Sequence, residues 1–242
     1  MALLGGLAVL CALSAATRRA LTLTAKRYEV RAQRCHNGRM NWYDQHLLPW
    51  LIDVACGLPM VQAKRRELVP QARGRVLEIG MGTGRNLPFY DHSRITQLVG
   101  VDPALQMHRL AQRRSEKAGL DVELVGLSAE RLPLPDDSFD TVVCTYTLCS
   151  IPDPAAALHE VRRVLKPGGR LLFCEHGRAP DPSLARWQAR IEPLWMPLAG
   201  GCHLTRDVPL LLRDAGLKAQ VDQAYLSGPR LLTYPYWGQA QK

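Results

Sequence analysis

Along the middle of the chain, short apolar runs alternate with longer segments whose apolar residues recur every three or four positions. The runs have the length of buried strands and fall at 76–79, 98–101, 122–125, 141–144 and 170–174. Segments 103–118 and 155–165 carry the helical period. Strands that are apolar almost throughout are typical of parallel sheets covered on both faces. The pattern therefore predicts an α/β domain with a doubly wound sheet.

The flanks of this alternation predict further elements. Apolar side chains recur at helical spacing from residue 43 to about 58, so an amphipathic cap helix is expected there. After the fifth strand, prolines and tryptophans punctuate a helical insertion, and Thr205 or Asp207 would cap a helix that follows it. Two more strands, at about 217–225 and 230–238, would complete a seven-stranded sheet as an antiparallel hairpin.

A glycine-rich turn follows the first predicted strand. Glu78 lies near the end of the strand, and Gly80, Gly82 and Gly84 follow at alternate positions. Glycine lets backbone approach a ligand closely and adopt positive φ. The spacing differs from the G-x-G-x-x-G that cradles a pyrophosphate. The turn indicates either a site for a nucleotide-like cofactor or an ordinary strand-to-helix loop, and residues 85–88 are expected to begin a helix whose amino end faces the ligand.

Acidic and polar residues follow the next two predicted strands. Asp102 stands 22 residues after Gly80, at the end of the second strand, where a carboxylate can accept both hydroxyls of a ribose. The alternative is a solvated loop aspartate. Ser128, Ala129 and Glu130 come shortly after the third strand. The order and separation of these signals favour a nucleotide-like ligand at one edge of the sheet.

With segments 137–143 and 164–172, these motifs resemble the class I S-adenosylmethionine (SAM) dependent methyltransferases, especially the ubiquinone and menaquinone C-methyltransferases. The resemblance implies a Rossmann-like fold with SAM as cofactor. In that family the glycine loop packs on the methionine part of SAM, the acid holds the ribose, and residues after the third strand border the adenine. The corresponding positions here are Glu78, Gly80, Gly82, Gly84, Asp102, Ser128, Ala129 and Glu130, and we add Thr145 after the fourth strand. Ser128 departs from the Asp that the family often has.

A closer likeness is to a membrane-associated group that includes alkyl-thiol S-methyltransferases. It rests on residues 144–150, on Glu175-His176 and on residues 201–206. The loops after strands four and five converge at the carboxyl edge of such a sheet, so Thr145 and His176 are expected close together.

Candidate catalytic residues follow from that convergence. His176 is our candidate for base or acceptor positioning, because imidazole titrates near neutrality. Glu175 is the candidate to orient it. His203 and Arg206 lie where the family inserts its substrate cover, and we interpret them as further candidates. Tyr43 on the cap helix is expected to contact the pocket.

The charge is concentrated at the amino end. The chain has 31 Lys and Arg against 22 Asp and Glu, a net charge of +9, and residues 1–39 carry +6 of it. Residues 1–16 are uncharged and largely apolar. An anchor or membrane-lying helix, with the enzyme on the cytoplasmic face, is one interpretation. The others are a misassigned start, with Met40 as the true one, and a signal peptide. The domain itself would then be 40–242.

The seven cysteines form no C-x-x-C pair, so their spacing predicts no metal site and no thioredoxin-type redox site. An odd number of cysteines favours a reducing cytosolic face. Cys149 and Cys174 are expected to be small buried hydrophobes. A trap for a thiophilic metalloid formed by Cys144, Cys149 and Cys202 is the alternative.

Methylation of nucleic acid is disfavoured. Enzymes that act on base amino groups have an Asn/Asp-Pro-Pro-aromatic turn after the fourth strand, and Cys144-Thr145-Tyr146-Thr147 stands there. No basic stripe is interleaved with aromatic residues. The sequence therefore predicts a methyltransferase that acts on a small, apolar acceptor such as a thiol, quinone or lipid. A SAM-binding assembly or regulatory protein without turnover is the alternative, and no pattern indicates an oligomeric state.

Overall fold

A computed structural model of the protein describes residues 42–242. These residues form a seven-stranded sheet with strand order β3-β2-β1-β4-β5-β7-β6. The strands are β1 Gly74–Ile79, β2 Ile95–Val101, β3 Val122–Val125, β4 Phe139–Thr145, β5 Leu165–His176, β6 Lys218–Gln223 and β7 Pro235–Gln241. Strands β1 to β5 pair in parallel, whereas β7 runs antiparallel to both β5 and β6. The predicted α/β sheet with an antiparallel last hairpin is confirmed.

The helices begin and end largely where local signals place them. They are α1 Leu48–Cys56, which continues the π-helical turn Tyr43–Leu47, then α2 Pro59–Leu68, α3 Leu105–Ala118, α4 Pro154–Val164, α5 Pro182–Leu198 and α6 Val208–Asp214. The Asp153 and Asp207 side chains accept hydrogen bonds from backbone N–H groups in the first turns of α4 and α6. Helix α3 ends at Gly119, which takes a left-handed φ of 68°. Asp207 is thus the cap, and Thr205 is not.

The strand register brings the predicted site residues to one edge of the sheet. Ile79, the last residue of β1, pairs with Val101 on one side and Cys144 on the other. Thr145 in turn pairs with Cys174 of β5. The glycine turn, Asp102 and the loops after β4 and β5 therefore all lie beyond the carboxyl ends of parallel strands, where ligands bind in open α/β sheets.

The expected helix at residues 85–88 is wrong. These residues form turns and a short 3₁₀ segment, Leu87–Phe89. Pro88 has no N–H to donate to an α-helical ladder. The Leu87 and Tyr90 side chains are buried in the core, with 1% and 4% of their surface exposed. Burial of both side chains, only three residues apart, fixes this compact turn and leaves no helix amino end facing a ligand here.

Three other elements differ from expectation: one helix was missed, and two strands have other bounds. Helix α2 was not predicted, because its sequence is mostly polar and only one side of it is buried. Strand β5 begins at Leu165 rather than near residue 170, since Leu165 already pairs with Phe139. Strand β7 lies at Pro235–Gln241, a few residues later than expected. The anchor, leader and alternative-start interpretations concern residues outside 42–242, and no helix within that range has the length and apolar character needed to cross a membrane.

Candidate active site

Each glycine of the turn after β1 has positive φ, but the surroundings of the three differ. A Cβ on Gly80 would lie 2.1 Å from the Thr147 hydroxyl oxygen, and one on Gly84 would lie 2.6 Å from Leu87. A Cβ on Gly82 would meet nothing closer than 3.8 Å, although φ is 53°. Gly80 and Gly84 are therefore needed for close packing, whereas a side-chain carbon at Gly82 would make only ordinary van der Waals contacts.

Asp102 lies beside Gly82. Its Oδ2 accepts a hydrogen bond of 2.8 Å from the Gly82 N–H, and its Oδ1 accepts one of 2.7 Å from the Ala104 N–H. Burial raises the pKa of Asp102, and these two backbone donors counteract part of that rise. The structure thus brings Asp102 and the glycine turn together, as the sequence predicts. Each carboxylate oxygen keeps a lone pair for a hydroxyl donor.

Glu78 lies beneath the turn in a buried polar network. Tyr90 donates a hydrogen bond of 2.6 Å to one carboxyl oxygen, and Asn86 Nδ2 donates one of 3.0 Å to the other. Thr145 Oγ1 accepts from both Asn86 and Arg65, each at 3.0 Å. Burial raises the pKa of Glu78 to about 7, although Tyr90, Arg65 and Asn86 favour the charged form. Glu78 and Thr145 therefore support the turn, and their expected contact with the cofactor stays a prediction.

Asp53 joins helix α1 to the glycine turn. Its carboxylate accepts from Thr83 in the turn, from Arg85 Nε at 2.9 Å, and from Arg114 of α3 at 2.8 and 3.0 Å. Burial opposes ionisation, yet the Arg114 and Arg85 guanidinium groups and the Thr83 hydroxyl hold the pKa of Asp53 well below its usual range. The cap helix is thus fastened to the turn, as expected of a cover.

Ser128 and Glu130 bond mainly to the loops around them. The Ser128 hydroxyl donates to Glu130 Oε2 at 2.8 Å, and Glu130 Oε1 accepts from the Asp153 N–H at 2.7 Å. Glu130 therefore ties the loop after β3 to the start of α4. Ala129 is buried beside them, with 5% of its surface exposed. Their expected contact with adenine stays a prediction.

Glu175 organises the loop after β4. Its buried carboxylate accepts hydrogen bonds from the backbone N–H of Thr147 at 2.9 and 3.0 Å and from that of Cys149 at 3.3 Å. Burial raises the pKa of Glu175, and these N–H donors oppose the rise. Neighbouring residues of a strand point to opposite faces of the sheet. Glu175 therefore does not orient His176, contrary to our expectation.

His176 lies with aromatic and sulfur-containing side chains. Its ring packs edge-on against Tyr146, with 5.0 Å between ring centroids, and its Nδ1 is 3.8 Å from Cys202 Sγ. Tyr146 has a φ of 55°, an unusual conformation for a bulky residue, at the carboxyl end of β4. This strained residue and a half-buried imidazole at the ligand edge of the sheet make this region the candidate acceptor side of the site.

The other two catalytic candidates have structural partners. The Arg206 guanidinium donates to the Leu148 and Ile151 carbonyls, with 2.6 Å to the latter. His203 Nδ1 lies 3.1 Å from Glu192 Oε1 of α5. Arg206 therefore holds the loop after β4 in place, and its guanidinium does not project as a free acceptor ligand. The Tyr43 hydroxyl donates to the Leu198 carbonyl at 2.7 Å, so it links α1 to α5.

Comparisons with known proteins agree with this geometry. The family description "Methyltransferase domain" matches residues 77–173. Human thiol S-methyltransferase TMT1A is 35% identical over 179 residues, which cover 68% of this chain and 73% of that protein. The chain belongs to the SAM-dependent methyltransferases.

Two further likenesses agree with this membership. Human thiol S-methyltransferase TMT1B is 40% identical over 160 residues, 61% of this chain and 64% of that protein. This chain thus spans 64% of the length of that relative. The crystal structure of YcgJ from Bacillus subtilis superposes with a TM-score of 0.62 at 20% identity, covering 76% of this chain and 97% of that one. The second likeness shows the shared fold.

The methyltransferase's own residues fit SAM. Gly82 lies beside the Asp102 carboxylate, and its N–H donates a hydrogen bond of 2.8 Å to Oδ2. A diol needs such an acceptor, and a glycine without a side chain admits the ligand beside it. Asp102, Gly80 and Gly82 are the residues that would hold SAM, whereas Glu78, Asn86 and Arg65 support them. No local pattern marks Arg65 or Asp53, since their partners are distant along the chain.

Proposed function

We propose that the protein transfers the methyl group of SAM to a small, apolar thiol. The observation that carries the proposal is the half-buried His176 imidazole among Tyr146, Cys149 and Cys202, at the sheet edge that also holds Gly82 and Asp102. A soft and largely apolar surrounding of this kind suits a sulfur-containing acceptor. The likeness to TMT1A and TMT1B, both named thiol S-methyltransferases, gives further support.

The proton balance also favours a thiol. SAM, when bound, supplies a methyl group on a positively charged sulfur. His176 would accept the acceptor's proton, and the cover formed by α1 and the Arg206-held loop would exclude water. A thiol of pKa about 8.5 gives up its proton to any given base at a cost roughly 2 kcal/mol lower than a phenol of pKa about 10 does. A thiol is therefore the easier acceptor for this site.

A labelled-methyl assay tests the proposal. The full chain is incubated with SAM labelled in its methyl group and with an alkyl thiol, a quinol or a phospholipid. We expect label in the thiol product, and transfer only to the quinol or the phospholipid would refute the acceptor class. Binding of S-adenosylhomocysteine without transfer to any acceptor would favour the non-catalytic alternative.

His176→Ala probes the acceptor side of the same assay. We expect S-adenosylhomocysteine affinity to stay within about twofold while turnover falls by about 100-fold or more, the usual size of a general-base contribution. Full turnover in this variant would remove His176 from the reaction. His203→Ala serves as the matched control, because that imidazole contacts Glu192 rather than the acceptor side.

We further propose that the first helical segment and the end of α5 lie on an anionic membrane surface. The two meet through the Tyr43–Leu198 hydrogen bond, and both present large apolar side chains to solvent. Trp50 is 60% exposed, Leu194 75% and Leu198 62%. Exposed apolar patches of this kind mark interaction sites. The net charge of +6 in residues 1–39 would add attraction to anionic lipids.

Co-sedimentation with phosphatidylserine-containing vesicles tests this surface. We expect Trp50→Ser combined with Leu194→Ser in the full chain to lower the bound fraction several-fold. Leu210→Ser on α6, whose side chain is 40% exposed, is the control. Equal binding by the wild type, the double variant and the control would refute the role of these helices. A cytoplasmic face stays the predicted location.

A further inference from the structure

Two cysteines and a histidine from three separate parts of the chain meet on the acceptor side. Cys149 lies in the loop after β4, His176 ends β5, and Cys202 follows α5. One ligand atom from each, two Sγ atoms and a ring nitrogen, lie within 4.8 Å of one another. Within residues 42–242 no other group of three His, Cys, Asp or Glu side chains is arranged to hold a metal ion. The cluster is therefore distinct from ordinary buried thiols.

The backbone around the cluster is fixed. The Cys149 carbonyl accepts from the His203 N–H at 2.8 Å, which joins the loop after β4 to the segment after α5. The Cys149 N–H donates to Glu175, and the Cys202 N–H donates to the Ala199 carbonyl at 3.2 Å. Both cysteines are buried, with 2% and 7% of their surface exposed, whereas His176 is half-buried. A preorganised set with one half-buried member offers a ligand an entry path.

We propose that Cys149, His176 and Cys202 bind one Zn²⁺ ion and leave its fourth position open. Two thiolates and an imidazole form one of the three-ligand sets found in catalytic zinc sites. Zinc bond lengths of roughly 2.0 to 2.3 Å imply ligand separations of roughly 3.5 to 3.8 Å in a tetrahedral site. The Cys202–His176 separation is 3.8 Å, and the whole set lies within 4.8 Å. Side-chain shifts below about 1 Å would therefore close the site.

A buried donor beside the cluster supports the assignment. The buried Trp195 indole N–H has no hydrogen-bond partner within the described part of the chain, and Trp195 lies close enough to Cys202 to influence its thiol. Buried donors are rarely left unpaired. A metal-bound thiolate is a stronger acceptor than a neutral thiol, and donors of this kind commonly surround ligating groups. Zinc coordination by Cys202 would give the indole N–H its partner.

The zinc site rests on the proposed thiol methyltransfer and changes one step of it. The acceptor thiol would lose its proton to water on binding the open position, because coordination to Zn²⁺ deprotonates a thiol. The thiolate's lone pair would then form the new sulfur–carbon bond. The methyl–sulfonium bond of SAM would break with its electron pair going to the departing thioether sulfur. His176 serves as a ligand in this scheme and not as the base.

Metal binding is measured first, without reference to activity. The full chain is stripped with chelator under reductant and titrated with Zn²⁺ against a competing chromophoric chelator, and with Co²⁺ as an optical probe. We expect one equivalent to bind, with a Co²⁺ spectrum of tetrahedral thiolate ligation. Cys149→Ser, Cys202→Ser and His176→Ala should each weaken binding by at least about tenfold. Cys56→Ala is the matched control with one thiol fewer and should bind as the wild type does.

Thermal melting and S-adenosylhomocysteine binding confirm that each variant is folded. Failure to bind a stoichiometric metal ion would overturn the proposal, as would equal affinities in the folded variants and the wild type, or equal weakening in Cys56→Ala. A Cys149–Cys202 disulfide that persists under reductant would also overturn it.

A labelled-methyl assay then distinguishes failure of the zinc site from failure of thiol methylation. Faster transfer to a thiol by the zinc-loaded protein than by the stripped protein supports the metal's role in activation. Equal rates would overturn that role while leaving thiol methylation intact. Zinc binding without transfer to any thiol would leave the site in place and refute the proposed function.

Discussion

Gly80 and Gly82 provide a matched pair for testing how the glycine turn is built. Both have positive φ, 69° and 53°, so an alanine at either position incurs the left-handed backbone cost of roughly 1–2 kcal/mol. They differ in their surroundings. An alanine Cβ at Gly80 would lie 2.1 Å from the Thr147 hydroxyl oxygen and 2.2 Å from its methyl carbon. At Gly82 the nearest atoms are 3.8 Å away.

The clash should therefore add to the backbone cost at Gly80 alone. Overpacking costs about 1–3 kcal/mol, which brings Gly80→Ala to roughly 2–5 kcal/mol of lost unfolding free energy against roughly 1–2 kcal/mol for Gly82→Ala. In a domain of this size each kcal/mol lowers Tm by about 2–4 °C. Thermal melting and urea denaturation of the two variants measure the difference.

Thr147→Gly isolates the contact. If the Thr147 side chain causes the excess, adding Gly80→Ala to Thr147→Gly should cost only the backbone term, roughly 1–2 kcal/mol. Equal destabilisation by Gly80→Ala and Gly82→Ala would contradict the packing between the turn and the loop after β4. So would a Gly80→Ala cost that is unchanged by removal of the Thr147 side chain.

Three further predictions concern carboxyl groups. Asp102→Ala should weaken S-adenosylhomocysteine binding by about 100-fold, because charged hydrogen bonds are worth about 1.5–3 kcal/mol each; calorimetry measures this, and unchanged affinity would exclude Asp102 from the site. Burial raises the pKa of Glu78 to about 7, so the protonated form is favoured in the folded state. Ionisation of this group should therefore lower the unfolding free energy as pH rises from about 5 to 8, by at most about 3 kcal/mol. In urea denaturation, the unfolding free energy of Glu78→Gln should depend less on pH between about 5 and 8 than that of the wild type. An identical pH dependence would contradict the burial effect. The Asp53 carboxyl has a lowered pKa, so its contribution to stability is present above about pH 4 and lost as pH falls further. The unfolding free energy of Asp53→Asn should therefore fall less steeply below about pH 4 than that of the wild type. An equal fall in the two proteins would mean that the Arg85 and Arg114 contacts do not form in solution.

The positions of the parallel strands were predictable because strands that are buried on both faces are apolar almost throughout. Strand β4 illustrates this, since its residues are buried almost without interruption. The position of Asp102 at the end of β2 follows in the same way, and the structure brings it to Gly82. Signals of this kind are local, so one segment suffices to recognise them.

The remaining features depend on contacts between distant segments. Arg65 meets Thr145 across 80 residues of chain, and no local pattern marks it as the partner of a buried network. The clustering of Cys149 with His176 and Cys202 likewise has no short spacing that a motif could show. The helix expected at residues 85–88 was wrong because core packing of Leu87 and Tyr90 overrides local preference.

Three consecutive residues near the end of β5 have three different tasks. Cys174 packs in the core, Glu175 holds the loop after β4, and His176 lies on the acceptor side. Loss of one residue upstream in β5 would put the imidazole where the loop needs a carboxylate, and gain of one residue would put the carboxylate beside the two thiols. The length of this strand is therefore as tightly constrained as its composition, and homologous enzymes that use the same arrangement should show insertions in the flanking loops and none between Arg170 and His176.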